Sequence, residues 1–185
     1  MYIIMDYRMR NACRDGDIEY IIKEMKNNRN YQNMHLDYPH PLFFCASGGK
    51  IESIKFIIKN HGCTKENVID AIYISSISGH YDCVEYLFSL LKEFDITHSR
   101  LIYAFHKCII KKYKKIIKLF LEKNVYYENE NVNCFLTCVK ENDLETLECI
   151  MDKYTNYDRF IPKALEIGFQ NSNKKIINIF SDISF

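Results

Sequence analysis

The segment Ser78-Gly79-His80-Tyr81-Asp82-Cys83-Val84-Glu85-Tyr86-Leu87 decides the fold, because it joins two apolar helical patterns through a short turn. Upstream, residues 67–78 carry apolar side chains at helical spacing, and the Gly-His pair then turns the chain. Downstream, Val84, Leu87 and Phe88 recur at i, i+3 and i+4, which places them on one helical face. The segment therefore predicts two short antiparallel helices.

This pattern repeats along the whole chain at steps of 33, 30, 32, 31 and 29 residues. Only three prolines and six glycines interrupt the sequence, so helix is the expected structure throughout. Helices of about ten residues are marginal alone in water and must pack on their neighbours. A stack of such units usually provides a binding surface. The turns are marked by Gly16, Gly49, Gly79, Lys111, Asn142 and Asn171.

Two segments resemble the motifs of ankyrin-repeat proteins. His40-Pro41-Leu42-Phe43-Phe44-Cys45-Ala46 is similar to the family's Thr-Pro-Leu-His-x-Ala-Ala opening, and residues 78–87 are similar to its turn and second helix. The resemblance implies an all-α, ankyrin-like solenoid of about six helix-turn-helix units with short irregular hairpin loops. It implies one domain, residues 1–185, with units at about 6–36, 37–66, 67–97, 98–130, 131–159 and 160–185.

The chain departs from the family in its connections. The Gly-Ala-Asp-x-Asn stretch of the family is absent, and the last three units lack the turn glycine. Degenerate units rich in Ile, Lys, Asn and Tyr resemble the ankyrin paralogues of large DNA viruses that infect amoebae. That resemblance implies a viral protein that acts in host–virus interaction in the host cytoplasm.

Composition and charge argue against several classes of function. The net charge is +1, so no strong field attracts nucleic acid or anionic lipid. Eight cysteines are present without a CxxC pair, and Cys13, Cys45, Cys108 and Cys138 fall in one small-residue position of the repeat. We expect free core thiols, no metal, and an intracellular, reducing compartment. No secretion signal or membrane-spanning stretch is apparent.

The resemblance to ankyrin repeats also implies which residues meet a partner protein. In that family the residues just before each turn line a concave groove, and the hairpin tips extend it. Ile109 and Ile110 are expected to form a binding hot spot if both are exposed. The alternative is that the fourth unit is rotated and buries them. The candidate partner-binding residues are Arg14, Asp15, Tyr38, Ile77, Ile109, Ile110, Tyr126, Tyr127, Lys140 and Glu141.

Two further features have both a functional and a structural interpretation. Tyrosines crowd the connecting segments, where they could contact a partner or pack on the neighbouring loop. The run Lys111-Lys112-Tyr113-Lys114-Lys115 could be a nuclear-import or phosphate-binding patch, or a solvated turn whose tyrosine points inward. Because the chain is nearly neutral, we favour the solvated turn and do not expect nucleic-acid binding.

No catalytic pattern is present in the sequence. The six histidines are scattered, and none is spaced with a Cys, Ser or carboxylate as a nucleophile–base pair. We therefore expect a non-catalytic protein-protein interaction module with a protein partner, no cofactor, no small-molecule substrate and no membrane contact. The alternative is a structural or assembly protein that self-associates, for example as a homodimer, through its apolar C-terminal unit at residues 176–185.

Overall fold

The computed structural model describes residues 5–27, 40–92, 98–125, 134–153 and 157–181, and within these ranges the chain is all-α. These ranges contain no strand, which confirms the predicted fold class at that level, and no helix long and apolar enough to cross a membrane. The helices are α1 (Tyr7–Asp15), α2 (Ile18–Asn27), α3 (Pro41–Ser47), α4 (Ile51–His61), α5 (Lys65–Ser78), α6 (Tyr81–Phe88), α7 (Ser99–Lys111), α8 (Lys114–Glu122), α9 (Cys134–Glu141), α10 (Leu144–Lys153), α11 (Ile161–Gln170) and α12 (Lys174–Ser181).

The helices form six pairs, and each pair is joined by a turn of two or three residues. One residue of every turn has positive φ, which is costly for residues other than glycine. In the fourth and sixth pairs this residue is Lys112 and Ser172, one position after the predicted turn markers Lys111 and Asn171. The predicted register of these two pairs was therefore wrong by one residue. The six positive-φ turn residues are Gly16, Gly49, Gly79, Lys112, Asn142 and Ser172.

The chain divides into two compact units, Met1–Ala104 and Phe105–Phe185. In the first unit, equivalent helices of successive pairs pack side by side: α1 on α3, α3 on α5, and α4 on α6. Every helix of the first three pairs also packs on its partner within the pair. This unit thus has the side-by-side packing that a helical repeat requires.

Neighbouring turns of the first unit interlock through their backbones. A Cβ atom built on Gly48 would lie 1.9 Å from the carbonyl oxygen of Arg14, so only glycine allows this approach. In the turn of the third helix pair, His80 Nε2 lies 3.0 Å from the carbonyl oxygen of Ser47, which is 33 residues earlier in the sequence. These contacts fix the spacing between successive helix pairs.

The second unit is held by stacked aromatic rings. Phe105 stacks on Phe120 with ring centroids 5.7 Å apart, and Phe135 lies 5.5 Å from Phe180. Around this core α8 packs on α10 and α9 packs on α11, again as equivalent helices of successive pairs. A 3-10 turn at Asp158–Phe160 precedes α11.

A small side chain recurs four residues before every positive-φ turn residue. All six side chains at this position are buried. At Gly168 a Cβ atom would already lie 3.0 Å from Ile176, which shows why larger side chains are excluded. Cys13, which we predicted to occupy this position, lies one residue later. The position is held by Ala12, Cys45, Ser75, Cys108, Cys138 and Gly168.

The cysteines behave as small apolar residues, as predicted. Six of the eight are buried, whereas Cys63 is half-buried and Cys149 is exposed. Burial raises the pKa of Cys83 to about 11 and that of Cys108 to about 12. Buried thiols with such pKa values carry almost no thiolate near neutral pH and are chemically inert.

Candidate functional site

The candidate site is a stripe of exposed and half-buried side chains on the first helices of the unit that spans residues 1–104. Each of these first helices also carries buried residues that pack against its neighbours. The exposed side recurs at i, i+3 and i+7, so its members align along the helix axis. This first-helix face consists of Tyr7, Arg10 and Arg14 on α1, Phe43 and Ser47 on α3, Asp70, Tyr73 and Ile77 on α5, and Tyr103 on α7.

Aromatic side chains dominate the first-helix face. Tyr7 is 76% exposed and Tyr103 is 38% exposed, while Phe43 and Tyr73 are half-buried. The rings of Tyr73 and Tyr103 lie 6.2 Å apart with an interplanar angle of 33°. Exposed tyrosines of this kind offer a large contact area, a hydrogen-bonding tip and little conformational entropy to lose on binding.

Polar contacts connect the start of α7 to α5 beside the tyrosine pair. The Arg100 guanidinium forms an ion pair with Asp70, whose side chain is only 16% exposed. His98 Nε2 lies 3.4 Å from the Glu66 carboxylate. These contacts hold the two helices in the register that brings Tyr73 and Tyr103 together.

Arginines bound the other end of the face. Arg10 lies with its guanidinium carbon 5.7 Å from the ring centroid of Phe44, and its Nε donates a hydrogen bond of 2.8 Å to the carbonyl of Met5. Arg14 is exposed in the last turn of α1, where the helix dipole favours a cation. The face is therefore aromatic with a positive margin on α1.

Most of the predicted partner-binding residues that the structure describes are accessible. Arg14, Asp15 and Lys140 are exposed, Ile110 is 38% exposed, and the remaining two of this group are half-buried. Only Arg14 and Ile77 belong to the first-helix face, because the prediction considered only the residues next to each turn. The two half-buried residues of this group are Ile77 and Glu141.

Ile109 corrects the prediction of an exposed isoleucine pair. Its side chain is 0% exposed. The positive-φ residue of its pair is Lys112, so Ile109 lies three positions before the turn residue rather than two. In the first three pairs and the fifth this position is also buried, at Cys13, Ala46, Ser76 and Val139. Ile109 is a core residue, and only Ile110 can meet a partner.

Most of the tyrosines in the connecting segments lie outside the described residues. Tyr38, Tyr126 and Tyr127 lie outside them, as do the other crowded tyrosines at 31 and 154. Tyr157 is described, and its ring stacks on Phe135 with centroids 5.5 Å apart. This tyrosine therefore packs on a buried ring of helix α9 rather than on a neighbouring loop.

The lysine run is divided between ion pairs and solvent. Lys114 pairs with Asp143 and lies 3.5 Å from Glu145, and Lys111 lies 5.8 Å from the Tyr113 ring centroid. Burial alone would raise the pKa of Asp143, but hydrogen bonds from Lys114 and Thr146 outweigh it and lower the pKa. Within the run, the Lys114 ammonium group therefore pairs with carboxylates of the chain itself.

The first helices of residues 105–185 differ in character at the equivalent positions. Lys163 and Gln170 both bind the Glu166 carboxylate, at 2.7 and 3.2 Å, and Lys140 is exposed on α9. These side chains form a charged, hydrated surface. In the described ranges, no group of three or more His, Cys, Asp or Glu residues could hold a metal ion.

Sequence reasoning missed the aromatic members of the first-helix face. A signal was present, because Tyr7, Phe43, Tyr73 and Tyr103 lie six or nine residues before the positive-φ turn residues. Extending each stripe backward by one or two helical turns would have found Tyr7, Phe43 and Tyr73. The fourth pair would still have been misplaced, since its turn lacks glycine.

Comparison with known proteins adds no relative. No family model matches the chain, and no curated protein matches it. The ankyrin resemblance therefore depends on the motif residues quoted above.

Proposed function

We propose that this chain is a non-catalytic protein-binding module of the ankyrin-repeat type, and that a partner protein binds its first-helix face. The supporting observation is the aromatic stripe on stacked first helices, with Tyr7 76% exposed and Tyr103 38% exposed. The packing of equivalent helices supports a solenoid, and the motifs at residues 40–46 and 78–87 support the ankyrin type.

The affinity would come from rigidly held aromatic side chains. Interface hot spots are enriched in Tyr and Arg, which make up five of the nine residues of this face. Tyr73 and Tyr103 lie side by side, and the Arg100–Asp70 ion pair fixes the helices that carry them. Such preorganisation lowers the entropic cost of binding.

The test is affinity capture followed by titration of the purified partner. We compare the wild-type chain with the double variant Tyr7→Ser/Tyr103→Ser in extract of cells that produce the protein. Tyr86→Ser is the matched control, since Tyr86 is a half-buried tyrosine on a second helix. The double variant should bind about 30-fold more weakly, corresponding to about 2 kcal/mol for lost hot spots. Equal binding by all three chains would refute the proposal.

A second candidate function is self-assembly through the last helix pair. Phe169 is 64% exposed, although the side chain three positions before the turn residue is buried in the other five pairs. In the first pair this side chain, Cys13, lies against Cys45 of the next pair. A second copy could cover Phe169 in the same way. The sequence suggested this function through residues 176–185, of which 182–185 lie outside the described ranges.

Sedimentation over a wide concentration range distinguishes the two functions. Self-assembly predicts concentration-dependent mass that Phe169→Ser abolishes and that Tyr7→Ser/Tyr103→Ser leaves unchanged. A strict monomer at every concentration would remove the assembly function and leave partner binding as the proposal.

A further inference from the structure

The turn ends of α1, α3 and α5 are level with one another in the unit of residues 1–104. A Cβ atom on Gly48 would lie 1.9 Å from the carbonyl oxygen of Arg14, and His80 Nε2 lies 3.0 Å from the carbonyl oxygen of Ser47. Because α1 packs on α3 and α3 packs on α5, residues at equal distances before these turns form rows that cross the three helices. A partner segment that crosses the helices therefore meets one residue of each helix in turn.

Two of these rows belong to the first-helix face, and both change in character from α1 to α5. Each row begins with an arginine on α1 and ends with an apolar or aromatic side chain on α5. The face thus has a cationic end and an apolar end. The row two positions before the positive-φ turn residues consists of Arg14, Ser47 and Ile77, and the row six positions before them consists of Arg10, Phe43 and Tyr73.

The arginines at the α1 end keep hydrogen-bond donors for a ligand. Arg10 Nε donates to a backbone carbonyl at 2.8 Å, which uses one of the five N–H donors of the guanidinium, and Arg14 is exposed. Among the described residues, no carboxylate forms an ion pair with either arginine. Asp70, the carboxylate of the first-helix face, is already paired with Arg100. Asp15 is exposed, but it lies about 100° round α1 from Arg14.

The spacing of the helices sets the length and conformation of a segment that fits. The axes of packed helices lie about 8–10 Å apart. In the polyproline II conformation, three residues advance a chain by about 9.3 Å and bring it back to the same side. The two rows lie four residues apart, or about 6 Å along the helix axes, which is narrower than a helix of about 10 Å diameter. One extended segment of about seven residues therefore crosses α1, α3 and α5 with every third side chain against a helix.

We propose that the partner of the first-helix face is an extended protein segment of about seven residues with an acidic end and an apolar or aromatic end. Its carboxylates pair with Arg10 and Arg14 on α1, where a guanidinium can donate two parallel hydrogen bonds to one carboxylate. Its other side chains lie against Phe43, Tyr73 and Ile77. This inference rests on the proposed function, because it names the chemistry of the partner that binds the same face.

Selection from random peptides tests the proposal directly. The probe is a phage-displayed library of random peptides a few residues longer than the segment, selected on the immobilised full chain. The selected sequences should carry Asp or Glu at one end and apolar or aromatic residues three and six positions away. The best peptide is then synthesised with a fluorophore, and its dissociation constant is measured by fluorescence anisotropy.

Variants of both molecules then test the pairing at α1. Arg10→Gln/Arg14→Gln should weaken peptide binding about tenfold, a loss typical of arginine hot spots. Lys23→Gln/Lys26→Gln is the matched control, since it removes two exposed charges from α2 and should leave the affinity unchanged. Replacing the acidic residues of the peptide by glutamine should cost about tenfold on the wild-type chain and less than about twofold on the arginine variant. Arg14→Glu, a change at one exposed residue, should also weaken binding, and circular dichroism confirms that each variant is folded.

The outcomes separate this inference from the proposed function. Peptides that lose binding in Tyr7→Ser/Tyr103→Ser but have no acidic end, or that bind the arginine variant as well as wild type, would overturn the inference and leave the proposed function standing. Peptides that bind Tyr7→Ser/Tyr103→Ser normally would contradict both. Enrichment of no peptide would overturn the inference alone, because the capture experiment tests the proposed function separately.

Two other occupants of the face are also tested. Displacement of the peptide by a single-stranded oligothymidylate would assign the arginines to nucleic acid and overturn the inference. Self-association that Tyr7→Ser/Tyr103→Ser abolishes would assign the face to a second copy of the chain, with the same consequence. An acidic peptide whose affinity falls only in the arginine variants and in Tyr7→Ser/Tyr103→Ser supports the inference.

Discussion

Replacement of Asp143 by alanine should destabilise the protein by about 2.5 kcal/mol, because this carboxylate has three tasks. It accepts a hydrogen bond of 3.3 Å from the Thr146 backbone N–H at the start of α10, and one of 2.8 Å from the Thr146 hydroxyl. It also forms an ion pair with Lys114. Asp143 is 6% exposed and Thr146 is 2% exposed, so water cannot replace these partners.

The magnitude follows from these contacts. Loss of an N-cap costs about 1 kcal/mol. The buried Thr146 hydroxyl, left without its acceptor, costs about 1 kcal/mol more. The Lys114 side chain is 41% exposed, so solvent screening reduces the ion pair to about 0.5 kcal/mol. Asp143→Asn keeps an acceptor at the cap and should cost only about 1 kcal/mol.

The assay is urea unfolding followed by far-ultraviolet circular dichroism, with Asp17→Ala as the control. Asp17 caps α2 by accepting a hydrogen bond of 3.0 Å from the Tyr20 backbone N–H, and it is exposed. Its replacement should cost about 1 kcal/mol, the value of a cap alone. Equal losses for the Asp17 and Asp143 alanine variants would refute the contribution of Lys114 and buried Thr146.

The pH dependence gives a second check on the same carboxylate. The pKa of Asp143 is lowered in the folded state, so its contribution to stability is present above its unfolded pKa of about 3.9. That contribution is lost as the pH falls through the folded pKa. The stability difference between wild type and Asp143→Asn should therefore be constant near neutrality and shrink below about pH 4. A difference that does not change with pH would contradict the charged interaction.

Two further predictions concern matched pairs of positions. Ile109→Glu should lower the free energy of unfolding by about 4 kcal/mol or more, because Ile109 is 0% exposed and a buried carboxylate is penalised. Ile110→Glu should change it by less than about 0.5 kcal/mol. Equal urea midpoints for the two variants would show that Ile109 is accessible. Gly48→Ala should cost about 3 kcal/mol, because its Cβ would lie 1.9 Å from the Arg14 carbonyl oxygen. Gly62→Ala should cost only about 1 kcal/mol, from its φ of +71° in open space. Similar losses at both glycines would argue against the close backbone approach at Gly48.

Some features of the site could be predicted from local sequence, and others could not. Two second helices end where the local sequence indicates, since α4 ends at His61 before Gly62 and α8 ends at Glu122 just before Lys123 and Asn124. Glycine and asparagine at these points adopt positive φ, which is a property of the residues themselves. In the turn after α7 the residue with positive φ is a lysine. Lysine does not mark such a turn in a sequence, so the predicted position of this turn was wrong by one residue.

The sequence by itself determined the number of helix pairs, their apolar stripes and the small-residue position between paired helices. These features follow from helical periodicity and side-chain volume, which act over a few residues. Tertiary structure decided that Ile109 is buried, that Tyr73 meets Tyr103, and that Asp143 binds Lys114. Each of these depends on how one helix pair aligns with the next, about thirty residues away, and a local pattern carries no information on that alignment.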